Sequence, residues 1–283
     1  MDKLLPEKIS RPIGKWTCYK LECFADYIEA FAQTVNNTNY CYLELYAGCG
    51  QCTCKGTDCT IDDSPLRTLN ARTKFARYIF VVRESQDADG LKQLTAPYNA
   101  ADIKIITGNC VNDKVLRQVF DLIPRSVATF ALINPPGYRR LRWSTIKKLA
   151  THGVDWRRHK MELLVIFPLE MALLRNLTRP ECEASITRLY GNHKWQEIKQ
   201  KRLENQIGLD EARHKLVELF KAGLKGLGYR YVEDFKPASP SRQPFYHLIW
   251  ASDTNRWTEM LKDAWRKQRY LPCELLYSRK DKP

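Results

Sequence analysis

The chain has 283 residues, of which 44% are hydrophobic and 28% charged, a composition typical of a globular protein that buries a full core. No apolar run reaches the roughly 18 residues of a membrane-spanning helix, and the N-terminus lacks the apolar core of a signal peptide, so we expect a cytoplasmic protein without membrane segments. Lysine plus arginine number 46 against 32 aspartates and glutamates, and the formal net charge of +14 favours an anionic partner, of which nucleic acid is the commonest large one. A basic protein without such a partner is the alternative.

Apolar segments alternate with helical patterns through the first part of the chain. Apolar residues at helical spacing predict a helix over 17–35. Strands are then predicted at 41–46, 78–82, 103–106, 128–133 and 162–167, with helices near 64–75, 86–96, 112–122 and 143–151 between them. Ser64 is the predicted cap of the first of these four helices. Strands this apolar are covered on both faces, so the alternation predicts a doubly wound α/β fold with a mostly parallel sheet.

The pattern changes after residue 167. Residues 168–227 are highly charged and mostly helical in pattern, with a break at Gly208. Two more strands are predicted at 229–235 and 245–251, followed by a helix over 254–267. We therefore expect a single domain over residues 1–283, with a seven-stranded sheet and a helical insertion at 168–227 before the last two strands.

Polar residues and glycines fall at the ends of the first three predicted strands. Glu44, Gly48 and Gly50 lie at the end of the first strand, where glycine lets the backbone approach a ligand closely. Glu84 ends the second strand, where an acid can accept hydrogen bonds from a ribose diol. Asn109 ends the third and could bind an adenine edge or cap the next helix. Their joint placement predicts a nucleotide-type pocket at the carboxyl ends of the strands.

The fourth strand ends in Asn134-Pro135-Pro136-Gly137, in which two prolines make a rigid turn. Amino-directed methyltransferases use an Asn or Asp followed by two prolines at this strand, because the side chain and a proline carbonyl accept hydrogen bonds from the target amine. An aromatic residue usually follows at once to stack on the base. Here Gly137 follows and Tyr138 comes one place later. A purely structural end to the strand is the alternative.

Four cysteines lie in a loop after the first strand: Cys49, Cys52, Cys54 and Cys59, with the spacing C-x2-C-x-C-x4-C. Four thiolates can hold a zinc ion or an iron–sulfur cluster, although this spacing matches neither paired C-x2-C knuckles nor a radical-SAM triplet. Free thiols and a redox-sensitive disulfide are the alternatives. In a cytoplasmic protein we expect the ten cysteines to be reduced or metal-bound rather than disulfide-paired.

Two basic runs with aromatic residues follow the proline turn. The first contains Arg139, Arg140, Arg142 and Trp143, and the second contains Arg157 and Arg158. Arginines beside a pocket can grip phosphates, and aromatic rings can stack bases. A solvated basic face is the alternative. Because the first run adjoins the predicted pocket, we favour nucleic-acid binding.

Taken in order, these motifs make the chain resemble the three-Cys-motif partner (TcmP) family over roughly residues 17–262. The resemblance rests on motifs that include YLELYAGCG, GNCVN, INPPGYRRLRWSTIKKLA, LLVIFPLEMALLRNL and FYHLIWAS. It implies a class I S-adenosylmethionine (SAM)-dependent methyltransferase-like fold, SAM as the cofactor, and a partner protein encoded nearby that carries the family's cysteines. On this pattern Tyr46 joins the residues that would bind the cofactor. Glu44, Asn109 and Asn134 stand where the family has aspartate or other acids, and the cysteine loop replaces a Pro-Gly turn.

The leading hypothesis is therefore a SAM-dependent methyltransferase that acts on an exocyclic amine of nucleic acid. Asn134, Pro135, Pro136 and Tyr138 are its predicted catalytic residues. The alternative is a catalytically inactive binding or regulatory partner protein of the same fold, with a metal or redox function in its Cys-rich loop.

Overall fold

The computed structural model describes residues 10–14, 21, 24, 28, 29, 31, 40–55, 59–72, 74–125, 127–152, 160–169, 173–235 and 246–255. The strands of these residues are β1 (Arg11–Ile13), β2 (Cys41–Ala47), β3 (Gln51–Cys54), β4 (Thr60–Asp62), β5 (Arg77–Val82), β6 (Ile103–Thr107), β7 (Thr129–Ile133), β8 (Glu162–Phe167), β9 (Tyr231–Phe235) and β10 (His247–Ser252). The helices are α1 (Ser64–Asn70), α2 (Ser85–Thr95), α3 (Asp113–Asp121), α4 (Trp143–His152), α5 (Leu174–Asn176), α6 (Glu183–Tyr190), α7 (Trp195–Leu203) and α8 (Leu209–Gly226), with 3-10 turns at Tyr138–Arg140 and Pro180–Cys182.

Seven strands form the central sheet in the order β6-β5-β2-β7-β8-β10-β9. Neighbouring strands from β6 to β8 pair in parallel. Strand β10 is antiparallel to both β8 and β9, so it alone runs against the other six. This arrangement confirms the predicted doubly wound, mostly parallel seven-stranded sheet, with the reversed strand inside the final hairpin.

Both faces of the sheet are covered, which explains why its strands have so few polar residues. Helices α3, α4, α6, α7 and α8 contribute buried residues to the core on one face. On the other face, α1 and α2 pack with Phe24, Ile28 and Phe31, three of the five described residues of the helix predicted over 17–35. Strands β7 and β8 are buried throughout, as expected for the middle of a parallel sheet.

Helix α1 differs from its prediction at both ends. It ends at Asn70 rather than near residue 75, and its N-cap is Asp63, not Ser64. The Asp63 side chain accepts a hydrogen bond from the Ser64 backbone N–H at 2.9 Å. Both residues are good caps by composition, and the prediction missed by one position because Pro65 is tolerated at either of the first two helical positions.

The segment predicted as a cysteine loop is instead folded into a small second sheet. Strands β3 and β4 form an antiparallel hairpin, and β1 joins β3 in parallel, so the order is β1-β3-β4. The side chains of Cys52 and Cys54 point to the same side of β3, since they are two residues apart, and both are buried with Ile13, Leu21 and Ile61. We call β1, β3 and β4 the small sheet.

Helices α5 to α8 lie between β8 and β9 in the chain, within the segment expected to be an insertion. Gly208 caps the start of α8, in agreement with the predicted break between two helices. The assignment of 168–227 as an insertion within one domain stays a prediction. Residues 254 and 255 are not helical, while the rest of the helix predicted over 254–267 and residue 245, the predicted start of the last strand, lie outside the described residues.

Candidate active site

A cavity of about 680 Å³ opens at the carboxyl ends of the parallel strands. Its lining comes from the residues at or just after the ends of β2, β5, β6, β7 and β8, together with one wall from the small sheet. The size is that of a site for a drug-sized ligand. Its location is the one where doubly wound sheets bind their ligands.

Gly48 and Gly50 shape the turn after β2 from behind the cavity, which they do not line. A Cβ atom on Gly48 would lie 2.4 Å from the Asp63 Oδ2 atom, so only glycine fits against the cap of α1. Gly50 has φ +96° and packs against Leu66 and Leu91, so a side chain there would meet both strain and crowding. The two glycines therefore hold the turn against α1, and Ala47 is the residue of the turn that lines the cavity.

Glu44 is fully buried and lies away from the cavity, on the α1 face of the sheet. Its Oε1 atom accepts a hydrogen bond from the Ser64 hydroxyl at 2.5 Å, and its Oε2 atom accepts one from the Tyr42 hydroxyl at 3.0 Å. The predicted cofactor residue thus joins β2 to the start of α1. Burial, followed by the nearby Glu44 carboxylate, raises the pKa of Tyr42 well above its usual value, so this phenol stays protonated and donates.

Tyr46 lines the cavity with an unusual backbone conformation, φ +70°, at a β-bulge in β2. Its hydroxyl donates a hydrogen bond of 2.6 Å to the backbone carbonyl of Arg140, beyond the proline turn. Burial raises the pKa of the Tyr46 phenol, which therefore stays a donor. The residue ties the end of β2 to the segment after β7. Backbone strain of this kind is common at ligand sites.

Glu84 lies where the second-strand acid was predicted, at the end of β5 and the N-cap of α2. It is exposed, lines the cavity and makes no side-chain capping hydrogen bond, while Arg83 Nε lies 3.1 Å from its Oε1 atom. Asp87 in the first turn of α2 lines the same wall. Two carboxylates at a helix N-terminus suit the helix dipole and face the cavity as hydrogen-bond acceptors.

Asn109 and Cys110 line the cavity from the end of β6. The Asn109 Oδ1 atom accepts a hydrogen bond from the Val111 backbone N–H at 3.3 Å, and Asn112, not Asn109, caps α3. Burial raises the pKa of Cys110 to about 11, so its thiol is uncharged at neutral pH. Asn109 is therefore a polar lining residue rather than the helix cap that was its alternative assignment.

Asn134, Pro135, Pro136 and Gly137 all line the cavity, at the end of the central strand β7. All peptide bonds of the described residues are trans, so the turn contains no cis-proline. The Asn134 backbone N–H reaches the Leu45 carbonyl at 3.5 Å, which continues the pairing of β7 with β2 by one residue. The structure thus brings the proline turn together with Tyr46, Glu84 and Asn109 around one space.

Two aromatic residues predicted for the site are placed elsewhere. Tyr138 is 2% exposed, and its hydroxyl lies 3.4 Å from that of Ser185 in α6. Trp143 packs edge-on against Phe220 at 5.5 Å between ring centroids. A Cβ atom on Gly191 would lie 2.3 Å from the Trp143 ring. Both rings therefore fill the core beneath the helices after β8, and neither can stack on a ligand in the cavity.

Of the predicted nucleic-acid-binding arginines, Arg140 is the one that lines the cavity among the described residues. Arg139 is exposed, but its guanidinium donates to the Cys182 sulfur at 3.2 Å and to the Tyr138 hydroxyl at 3.4 Å. Arg142 is exposed without lining the cavity. Arg157 and Arg158 lie outside the described residues.

The cysteines do not fit a four-thiolate metal site. Cys54 is disulfide-bonded, which corrects for this one residue the expectation that the cysteines are reduced or bound to metal, while the free thiols include Cys41, Cys49, Cys52, Cys110 and Cys182. Cys49 is a free thiol that donates to the Gln51 carbonyl at 3.2 Å, and burial raises the pKa of Cys49 and Cys52. Within the described ranges, no group of three or more His, Cys, Asp or Glu residues could hold a metal ion. We therefore assign no metal to Cys49, Cys52, Cys54 and Cys59.

The sequence patterns missed several lining residues. Arg11 and Lys55 reach the cavity from the small sheet, Asp87 from α2, Pro168 from the end of β8 and Tyr246 from the start of β10. Asp87 could have been found, because it lies one helical turn after Glu84. The short strand β1 has no local signal, and its position depends on a pairing with β3 some forty residues away.

No family model and no curated protein sequence matches the chain. Among solved structures, a Legionella pneumophila protein with the family designation DUF519 is similar at a TM-score of 0.52 and 11% identity, covering 86% of this chain and 90% of that one. An O-methyltransferase from Bacillus cereus, in complex with S-adenosylhomocysteine, has a TM-score of 0.47 at 8% identity, covering 81% and 80%. A precorrin-6y C5,15-methyltransferase from Geobacter metallireducens has a TM-score of 0.37 at 11% identity, covering 80% and 87%.

The likeness to the Legionella protein shows the fold alone. Together with the strand order, it shows a doubly wound, seven-stranded α/β fold. The resemblance to the TcmP family stays a prediction. No helix in the described part of the chain is both long and apolar enough to cross a membrane.

Proposed function

We propose that this protein is a SAM-dependent methyltransferase that acts on an exocyclic amine of nucleic acid. One observation carries the proposal: the acid after β5, the asparagine after β6 and the Asn-Pro-Pro turn after β7 all line a single cavity. The likeness in fold supports it, and so does the resemblance of the sequence to the TcmP family. The site residues have separate roles toward the cofactor and the acceptor.

The cofactor half of the site consists of Glu84 and Asn109, and Tyr46 connects it to the acceptor half through its hydrogen bond to the Arg140 carbonyl. The Glu84 carboxylate, exposed in the cavity and not used as a helix cap, would accept hydrogen bonds from the ribose diol. Asn109 would contact the adenine edge. Glu44, Gly48 and Gly50 act indirectly, because they hold the turn after β2 against α1. When bound, SAM would supply an electrophilic methyl group on its sulfonium.

The acceptor half of the site is the Asn134-Pro135-Pro136 turn. The Asn134 side-chain oxygen and the Pro135 carbonyl would accept hydrogen bonds from the amine, so that the nitrogen lone pair points toward the methyl donor. Alignment is then the main contribution of the protein, and it can supply several kcal/mol of a displacement barrier. The amine proton would leave to solvent after transfer. Tyr138 has no part in this scheme, since it is buried in the core.

A titration of SAM and S-adenosylhomocysteine into purified protein by calorimetry tests the cofactor half. We expect micromolar binding that weakens at least about tenfold in Glu84→Ala, because charge-assisted hydrogen bonds to a diol contribute on the order of 1.5–3 kcal/mol. Asp89→Ala is the matched control: Asp89 is an exposed carboxylate of the same helix that pairs with Lys92 and does not line the cavity. Equal affinities of the wild type and Glu84→Ala would contradict the assignment.

The second candidate is a binding or regulatory partner protein of the same fold without transfer activity. The buried position of Tyr138 favours it, because neither Tyr138 nor Trp143 after the proline turn lines the cavity, where a ring could stack on a base. Transfer of a labelled methyl group from SAM to DNA, RNA or a cellular extract separates the two functions. Incorporation into nucleic acid supports the enzyme; SAM binding without transfer to any acceptor supports the partner protein. A partner encoded nearby, as in the TcmP family, belongs to both proposals.

A further inference from the structure

We propose that the small sheet is the nucleic-acid-binding wall of this site, and that Lys55 and Arg11 contact the phosphodiester backbone of a single strand whose unpaired base enters the cavity. The entry of the base rests on the proposed function. The contact with phosphates does not, because it is a property of the surface and can be measured without a cofactor.

The small sheet fixes the position of both basic residues. The Lys55 backbone N–H donates to the Ile13 carbonyl at 2.8 Å, which extends the parallel pairing of β1 with β3 by one residue. Arg11, Lys55 and Gly14 thus lie together along one wall of the cavity. A β-hairpin with an added strand is rigid enough to present charges at constant spacing.

The basic side chains that line the cavity outnumber the acidic ones, and those that the described residues leave unpaired lie on two different elements. Four basic and two acidic side chains line the cavity, and the two acidic ones are Glu84 and Asp87. Arg83 is 3.1 Å from Glu84, and Arg11 is 3.6 Å from Asp63, so these two guanidinium groups are partly compensated. Lys55 on the small sheet and Arg140 after the proline turn have no ion-pair partner among the described residues.

A polyanion that crosses the mouth of the cavity would pair with both Lys55 and Arg140 at once. Phosphates on either side of one nucleotide provide such a repeated charge, and neutralising each of them releases counterions. The partly exposed Tyr46 ring in the cavity offers an aromatic surface for the base between them.

The form of the cavity favours a single strand over an intact duplex. Asn134 and Pro135 line the cavity at the carboxyl end of β7, and a volume of about 680 Å³ admits small-molecule-sized groups but no helix. A base that is stacked and paired cannot bring its amine to these residues, so the nucleotide has to be unpaired or extruded. An unpaired strand avoids the energy of unstacking.

The test is fluorescence anisotropy of a labelled single-stranded oligonucleotide of about 20 nucleotides, as RNA and as DNA, at several salt concentrations without cofactor. We expect Lys55→Gln to weaken binding about three- to tenfold and to reduce the slope of log K against log[salt] by about 0.7, the value for one phosphate contact in single strands. The backbone hydrogen bond of Lys55 remains, so the small sheet is retained. Lys225→Gln is the matched control, an exposed lysine at the end of α8, near Gly228 and the amino end of β8.

Three results would overturn the proposal: no binding of either oligonucleotide, Lys55→Gln binding with wild-type affinity and slope, or a duplex of the same sequence binding more tightly. Glu84→Ala should still bind the oligonucleotide, since Glu84 is assigned to the cofactor. If Glu84→Ala loses SAM binding and still binds the oligonucleotide normally, the role of Glu84 is confined to the cofactor. Normal SAM binding without a Lys55 effect refutes the small sheet as the phosphate-binding wall and leaves the cofactor site standing.

Discussion

At the scale of single residues, Tyr46 connects the two halves of the candidate site. Its left-handed backbone conformation, φ +70°, is unfavourable for a bulky side chain, so the surrounding contacts must hold it. The hydroxyl bond to the Arg140 carbonyl is one of these contacts and reaches across the cavity lining to the segment after the proline turn. Tyr46 is accordingly a positioning residue for the acceptor half of the site.

Tyr46→Phe removes the hydroxyl and keeps the ring. We expect the free energy of unfolding to fall by about 1 kcal/mol, the usual net contribution of such a hydrogen bond. Methyl transfer should fall about tenfold in kcat while SAM affinity changes little, because a loosened turn misaligns the acceptor. Denaturant melts, SAM titration and transfer kinetics measure the three effects.

Tyr98→Phe is the control for this variant, since its hydroxyl bonds Asn70 at 2.7 Å on the surface, away from the cavity. It should lose a similar hydrogen bond without a change in kcat. A Tyr46→Phe enzyme that binds SAM more weakly but turns over normally would instead make Tyr46 a cofactor residue.

At the scale of elements, the small sheet explains why the spacing of the four cysteines did not correctly predict a metal site. A strand places alternate residues on one side, so Cys52 and Cys54 share the buried side of β3 with Ile13 and Ile61. There they behave as small apolar residues, and Cys54 is also disulfide-bonded. Because a metal site needs thiolates that converge on one point, a disulfide at Cys54 and buried, protonated thiols remove that option.

Removal of this disulfide should destabilise the protein. We expect Cys54→Ser to lower the free energy of unfolding by about 2–4 kcal/mol, since a cross-link restricts the unfolded chain. Dithiothreitol should lower the stability of the wild type by a similar amount and have no further effect on Cys54→Ser. Denaturant melts with and without the reductant give both values.

Cys41→Ser is the control, a buried free cysteine in β2 whose replacement should leave the effect of the reductant intact. A measurement of the metal content could contradict the assignment of a disulfide at Cys54. About one zinc per chain in reduced protein, lost in Cys54→Ser, would restore the four-thiolate site; we expect below about 0.1 equivalent, because such sites bind zinc too tightly to be isolated empty.

At the scale of the whole molecule, a charged cluster joins the helical segment after β8 to the final hairpin. Asp234 of β9 lies 2.7 Å from the Lys221 ammonium of α8 and 3.3 Å from His247 Nδ1 of β10. The hydrogen bond with His247, followed by the bond from Lys221, holds the pKa of Asp234 well below its usual range, against the opposing effect of burial. Three successive elements of the chain are therefore linked through one ionised carboxylate.

A carboxyl group whose pKa is lowered in the folded state makes the folded protein less stable in acid. The stability that it contributes is present above the unfolded-state pKa of Asp, about 4, and is lost as the pH falls toward the folded-state value. We expect the wild type to lose stability steeply below about pH 4 and Asp234→Asn to lose less over the same interval. At pH 7 the variant should be the less stable by about 1–3 kcal/mol.

Urea melts at pH 7, 4 and 2.5 measure this dependence. Asp89→Asn, on the exposed face of α2, serves as the control and should follow the wild type at all three values. If the free energy of unfolding falls equally with pH in the wild type and in Asp234→Asn, the ionisation of Asp234 does not contribute to the acid sensitivity of the fold.

The amino-acid sequence by itself determined the alternation of strands and helices, the mostly parallel sheet and the edge at which the site lies. These properties follow from local patterns, since a strand buried on both faces must be continuously apolar and must end at turn residues such as Gly137. Glu84, Asn109 and Asn134 were found in this way, because the ends of parallel strands meet at one edge of the sheet. In the structure, all three line one cavity.

Only the tertiary structure decided which neighbours of these residues face the cavity. Glu44 and Tyr138 lie within a few residues of lining positions, yet one bonds Ser64 and the other fills the core. Arg11 and Lys55 reach the cavity through a three-residue strand whose pairing has no signature in its own sequence. The physical reason is that side-chain direction depends on bulges and long-range pairing, which a local pattern does not contain.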